Sequence, residues 1–193
     1  MQIDLRSIPL PVAMLPLEFG WEPWRPERTA AHSAVLYEGF RGGCDAEFMR
    51  ALSTLEGCHD LIIGTSHHQY FVPEATWLAV HQAGGGVAGL PVCSIQVIGS
   101  LSRAARIQNL AVLPGYRGRG IARATLVRSL RNCRALGYDI AELEVTAINT
   151  PAVELYRSLG FTLRRAYLHE ADGPVGADRD ASSKPASAGF RSR

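Results

Sequence analysis

Residues 109–126, NLAVLPGYRGRGIARATL, pass from an apolar stretch through a turn rich in glycine and arginine straight into a helical pattern. Pro114-Gly115 ends the strand and the helix begins after Gly120, so the turn lies against a helix N-terminus. The first N–H groups of a helix have no partner within it and sit at the positive end of its dipole, which makes such a turn a natural anion site. Gly118 and Gly120 have no side chain to block close approach, and Ala122 adds only a methyl group. Arg117, Arg119 and Arg123 offer charge-assisted contacts. Glycines alone would equally serve a plain surface turn with solvated arginines.

Rival phosphate motifs can be tested on the same residues. A Walker loop needs Gly-Lys-Ser/Thr, but Gly120 is followed by Ile121-Ala122. A dinucleotide fingerprint opening at Gly118 meets Arg123 where its third small residue belongs, and its turn is tighter than this one. Glu142, at a suitable distance for a ribose contact, keeps a nicotinamide-binding enzyme as an alternative.

The 193 residues, 47% hydrophobic and 20% charged, are enough for one domain with a core that needs neither metal nor disulfides. A net charge of +2 argues against a nucleic-acid partner. Cys44, Cys58, Cys93 and Cys133 are widely spaced without a Cys-x-x-Cys, which argues against a zinc cage or disulfide framework and fits a reducing cytoplasm. Pro9, Pro11 and Pro16 break the apolar start where a signal peptide needs continuity, and the apolar runs fall far short of the roughly 20 residues that span a bilayer. A cytoplasmic protein without membrane contact is expected, as monomer or homodimer. Residues 171–193 hold only Val175 and Phe190 as large apolar groups, so a disordered tail is expected after a domain over 1–170.

The patterning predicts a short strand around Ile3, Leu5 and Ile8, a proline-rich arm to about Pro26, and helices over Glu27–Phe40 and Asp45–Cys58, the second from the spacing of Phe48, Leu52 and Leu55. Strands follow over Thr76–Gln82 and Val87–Gly99, joined by a turn at Gly84-Gly85-Gly86, then over Arg106–Leu113. Leu110–Leu113, being continuously apolar, reads as a strand covered on both faces. A helix from Gly120 to a Gly137 cap, with its arginines on a solvated face, leads to a strand over Ile140–Thr146. Thr150-Pro151 starts a last helix with a capping hydroxyl, Gly160 stops it, and Phe161–Leu168 returns as a strand. The fold class is α/β, or α+β, with a mixed sheet flanked by helices.

Arg117-Gly118-Arg119-Gly120-Ile121-Ala122, behind Leu110-Ala111-Val112-Leu113-Pro114-Gly115-Tyr116, resembles the Arg/Gln-x-x-Gly-x-Gly/Ala motif of the GNAT superfamily of N-acetyltransferases. A second block of that family, Asn-x-x-Ala-x-x-x-Tyr-x-x-x-Gly-Phe, is matched by Asn149, Ala152, Tyr156, Gly160 and Phe161. The resemblance covers residues 74–168. It implies acetyl-coenzyme A as co-substrate, no metal, and an amine acceptor that is a small molecule or a protein N-terminus. The pyrophosphate would rest on Arg117, Gly118, Arg119, Gly120, Ile121 and Ala122. Backbone groups of the strand Leu110, Ala111 and Val112 would meet the pantetheine arm and polarise the thioester, with Asn149 touching the same arm or capping the following helix, where a plain turn residue is the alternative. Tyr156 would protonate the departing thiolate, a phenol near pKa 10 serving a thiol whose pKa is about 8.5.

Where many relatives carry a glutamate before the phosphate loop, this chain has Gln108 and Asn109. Glu142, Glu144, His81, His67 and His68 are the other candidates for a base, beside a water relay. Deprotonating a lysine-like amine at pH 7 costs about 4.6 kcal/mol and an α-amino group only about 1 kcal/mol, so the gap favours an amine of low pKa. It also motivates a second reading, a catalytically silent acyl-coenzyme A binding or sensing module. Trp21, Trp24, Tyr37, Phe40, Tyr70, Phe71 and Trp77 are candidate acceptor-side aromatics, each equally suited to the core.

Overall fold

The structure, a computed structural model, describes residues 1–43, 45–46, 49–82 and 89–166. The Gly84–Gly86 turn, Cys44, Phe48 and the tail 171–193 lie outside these. Strands β1 (Gln2–Asp4), β2 (Phe19–Pro23), β3 (Trp77–His81), β4 (Leu90–Ile98), β5 (Ala104–Val112) and β6 (Ile140–Leu143) form one sheet in the order β1-β6-β5-β4-β3-β2. Neighbours are antiparallel except β5 and β6, which run parallel through a helical crossover, so the sheet is mixed as the patterning implied.

Helices α1 (Thr29–Phe40) and α2 (Leu55–Ser66) cover one face, α3 (Ile121–Ala135) and α4 (Thr150–Ser158) the other. β3 shows why both faces close. Its alternate residues Leu78 and Val80 meet Val35, Leu36 and Ile62 of α1 and α2, while Trp77 joins Leu126 and Leu130 of α3. Leu36, Leu78, Leu126 and Leu130 are fully buried, each contributing about 2 to 3 kcal/mol of transfer free energy. Cys58, Cys93 and Cys133 are buried free thiols.

Several boundaries differ from the sequence reading. Thr54 accepts a hydrogen bond from the Gly57 N–H at 3.0 Å, capping α2, so the second helix begins at Leu55 and residues 50–53 form a 3-10 turn. The proline-rich arm contains β2, an edge strand paired along β3 from Phe19–His81 to Pro23–Trp77; an edge tolerates its terminal proline. β6 stops at Leu143, and Thr162 makes only an isolated bridge to Gln2 rather than opening a strand. At α4 the cap is Asn149, whose Oδ1 accepts the Ala152 N–H, and not Thr150.

The arginines of α3 are not merely a solvated face. Arg131 donates to Leu10 O and Pro11 O, and Arg134 to Ile8 O, each at 3.3 Å, so they hold the N-terminal arm across the helix. Arg128 lies 3.8 Å from the Trp77 ring centroid and 4.9 Å from that of Trp21. These two indoles therefore belong to the α3 face, while Trp24 packs on His32 and Phe71.

Candidate functional site

The site begins where two parallel strands part. β5 and β6 pair from Ala104–Ile140 to Ile107–Leu143, after which β6 ends and β5 runs on for five residues. At this point the register of β4 against β5 slips, with Gln96 opposite Asn109 but Val97 opposite Ile107, which leaves Gln108 as an extra residue. The bulge changes which parity faces which helix: Ile107 packs with the α3 cluster, whereas Ala111 packs under α1. Leu113 donates to Val92 O at 2.9 Å. By antiparallel alternation Ala111 and Asn109 also bond to β4, and Leu110 and Val112 turn their N–H and C=O groups to the open edge. For the same reason Leu110, Val112 and Leu113 are only half-buried, where the continuous apolar run suggested cover on both faces.

Beyond β5 a 3-10 turn, Pro114–Tyr116, leads to Gly118 and Gly120, with φ of +75° and +76°. These left-handed conformations are the reason for glycine here, since a Cβ would strain the backbone. A Cβ built on either glycine meets nothing within 4 Å, so the space above the turn is open. Gly120 is the N-cap of α3 without a side-chain cap, and the first helical bond is Ala124 N–H to Gly120 O at 2.9 Å. The N–H groups of Ile121, Ala122 and Arg123 are therefore left to an external acceptor, and the positive φ values make the turn a concave nest of amides.

The three arginines take different places from those the motif alone suggests. Arg117 turns away from the nest: Nη2 donates to Gly39 O at 2.6 Å and Nε to Val112 O at 3.2 Å, tying the end of α1 to the end of β5. Arg119 donates to Gly115 O and lies over Tyr116. Arg123 Nη1 donates to Ser158 Oγ at 2.6 Å, joining α3 to α4.

Tyr156, on α4, is 8% exposed, its ring tilted against Phe161 within the core cluster that includes Ile107 and Leu143. Burial, reinforced by the negative charge of Asp45, pushes its phenol well above the usual tyrosine value, so it is protonated throughout the neutral range. Asp45 is the residue that sequence reasoning missed. One carboxylate oxygen accepts from Thr146 Oγ1, and the other from Asn149 Nδ2 at 2.8 Å. Asn149 thus both caps α4 and grips Asp45.

Most side chains weighed as bases are committed elsewhere. Glu142 pairs with Arg106 at 3.0 Å, and His81 packs against Phe19 and Tyr116. His67 Nδ1 lies 2.9 Å from Ile63 O, and His68 Nδ1 accepts the Tyr70 N–H. Glu144 is exposed beyond the end of β6, and Gln108 and Asn109 occupy the bulge. Beneath the sheet, His32, Ser94 and Gln96 form a fully buried polar group, with His32 Nδ1 2.8 Å from Ser94 Oγ. Among the described residues no group of three His, Cys, Asp or Glu could hold a metal, and no helix is long and apolar enough to cross a membrane.

Comparison with known proteins agrees with this geometry. The chain is 38% identical over 88 residues to mycothiol acetyltransferase of Thermobifida fusca (strain YX), covering 45% of this chain and 24% of that one. It is 40% identical over 72 residues to the [ribosomal protein bS18]-alanine N-acetyltransferase of Escherichia coli (strain K12), covering 36% and 49%. The chain thus spans about half or less of the length of these relatives. PaiA N-acetyltransferase of Thermoplasma acidophilum, solved in complex with coenzyme A, superposes with a TM-score of 0.60 over 79% of this chain and 95% of that one; at 12% identity this is a likeness of fold. The profile of the acetyltransferase (GNAT) family matches residues 55–161, a stretch that takes in the bulged strand, the glycine nest and the Tyr156 helix. Since that stretch is more than half of the chain, the protein belongs to the GNAT family of acetyltransferases.

Proposed function

We propose that this protein transfers an acetyl group from acetyl-coenzyme A to a primary amine by direct attack. The observation that carries this reading is the succession of two sets of free backbone N–H groups, those of Leu110 and Val112 on the open edge of β5 and those of Ile121 to Arg123 at the start of α3. Pantetheine is a chain of amides and suits a strand edge; a pyrophosphate suits an N-terminal nest. Gly118, Arg119 and Gly120 would contribute backbone to the nest, Ala122 its small side chain, and Arg117 would hold the loop in place from behind.

With the thioester laid along β5, the Leu110 N–H is the donor for its carbonyl oxygen, where negative charge develops as the amine attacks. The ammonium first gives a proton to solvent. The neutral amine then forms the C–N bond, the C–S bond breaks, and the second amine proton is lost. Tyr156 is the candidate acid that donates its phenolic proton toward the leaving sulfur, giving coenzyme A as the thiol. Because no carboxylate stands at the bulge, an acceptor of low pKa, such as an α-amino group, meets the smaller deprotonation cost of about 1 kcal/mol.

The same position, Gln108 and Asn109 in place of an acid, favours the second reading of an acyl-coenzyme A binding module without turnover. The first experiment is the melting temperature with acetyl-coenzyme A, NADH and ATP in parallel. A ligand at 100 times its Kd adds about 2.7 kcal/mol, which is roughly 5–10 °C for a chain of this size. A rise with acetyl-coenzyme A alone supports the cofactor assignment; no rise at millimolar ligand refutes both readings. Thiol release with an amine panel then separates them. Tyr156→Phe should lower kcat while leaving the Kd of acetyl-coenzyme A unchanged.

A further inference from the structure

Asp45 sits between α1 and α2, on the side of the sheet opposite α4, yet its carboxylate reaches Thr146 and Asn149, 101 and 104 positions later in the chain. Both donors lie in the segment that leaves β6 where the sheet opens, so the carboxylate is held at the mouth of the gap between β5 and β6. It is half-buried, and among the described residues no Arg, Lys or His forms an ion pair with it. Among the described residues Thr146 and Asn149 are its side-chain partners, and each carboxylate oxygen has room for a further donor. A partly desolvated carboxylate without a cation is costly, and an asparagine could serve Thr146 and Asn149 without that charge. The charge is also felt at Tyr156, where it adds to the effect of burial in raising the phenol.

We propose that Asp45 receives the ammonium group of the acceptor and makes the site select cationic alkylamines over uncharged amines. This rests on the N-acetyltransferase reading and adds the chemistry of its acceptor. Seated on Asp45, the nitrogen would be held beside Thr146 and Asn149, where β5 and β6 part. When the neutral nitrogen attacks it becomes positively charged again in the tetrahedral intermediate, and that charge offsets the carboxylate near the phenol at the moment the sulfur departs. The proton lost before attack goes to solvent, and Asp45 takes no part in the proton transfers.

The test uses the full chain and two sets of acceptors, alkylamines and amino-acid amides against arylamines, which are neutral at pH 7. Asp45→Asn should lower kcat/KM for the cationic set by about 10- to 100-fold, the range for one lost charge-assisted hydrogen bond. Turnover of arylamines should not fall in step with that of the cationic set, and the Kd of acetyl-coenzyme A should change less than twofold. Asp45→Glu, which keeps the charge, should recover part of the preference and guards against a folding defect in the amide variant. Equal loss on both sets, no loss on either, or a glutamate variant as indifferent to amine charge as the asparagine one overturns the proposal. If the wild type binds acetyl-coenzyme A but acetylates no amine, the N-acetyltransferase reading fails separately. Calorimetry of n-butylammonium on the coenzyme A-loaded protein then decides on Asp45: binding that is lost in Asp45→Asn supports the site, and binding that is absent or equal in both overturns it.

Discussion

Replacing Gly120 with alanine separates backbone strain from ligand exclusion. Gly120 has φ +76° and ψ 0°, and an L-residue in the left-handed region costs about 1–2 kcal/mol. A Cβ there meets no atom within 4 Å, so in the free protein strain is the whole effect. For a chain of this size that lowers Tm by roughly 2–8 °C. With acetyl-coenzyme A bound, the methyl group enters the space above the α3 amides, where one charge-assisted contact is worth about 1.5–3 kcal/mol, or 10- to 150-fold in Kd. Gly137→Ala is the control: φ is +89°, the nearest atom to an added Cβ is Arg103 Nη2 at 3.6 Å, and the position lies at the far end of α3. Both variants should lose comparable Tm, and only Gly120→Ala should lose affinity by titration calorimetry. Equal affinity in the two variants would refute the nest as the pyrophosphate site.

Burial, aided by the nearby Arg28 charge, holds His32 down at about 3 against 6.5 in an open chain. The unfolded chain therefore takes up a proton below pH 6.5 that the folded one refuses until about pH 3, so stability falls with pH across that window by about 1.4 kcal/mol per unit and is flat above pH 7. Urea midpoints at pH 7 and 4.5 should diverge more for wild type than for His32→Gln; equal slopes would refute the assignment. A Cβ on Gly39 would stand 2.9 Å from Ala111 Cβ, so Gly39→Ala should cost about 1–3 kcal/mol and Ala111→Gly should restore part of it, a double-mutant cycle read by Tm. Asn149→Ala removes a helix cap and should cost about 1 kcal/mol in chemical denaturation, whereas Asn149→Asp, which sets a second charge beside Asp45, should cost more.

What the chain reveals on reading depends on the range of the interaction. The nest was legible because glycine at 118 and 120 reports a backbone state, and Pro151 and Gly160 mark the ends of α4 by the same local logic. The sheet crossover followed from the order of apolar segments. The target of the Arg117 guanidinium was not legible, because its acceptor Gly39 O is 78 positions away. Asp45 carries no local signal, since only the closed fold brings it to Thr146 and Asn149. β2 was hidden because an edge strand takes its identity from its partner, and its proline and single glycine read as arm. The early end of β6 is likewise a property of the pair: the bulge at Gln108 bends β5 away, which no residue of β6 announces.

The clasp made by Arg117 has a thermodynamic consequence. One guanidinium holds Gly39 O at the end of α1 and Val112 O at the end of β5, and Gly39 lets the helix lie directly on that strand. α1 leads into the Asp45 segment, so the clasp ties the element next to the proposed amine site to the loop proposed to cradle the anion. A ligand that drew the first inward would also pull on the second through this clasp. Linkage makes the effect mutual: by whatever factor a seated amine strengthens nucleotide binding, the nucleotide strengthens amine binding by the same factor. Under the proposed function, cooperativity between two unlike substrates would then be traceable to a single side chain, and replacing Arg117 would uncouple them.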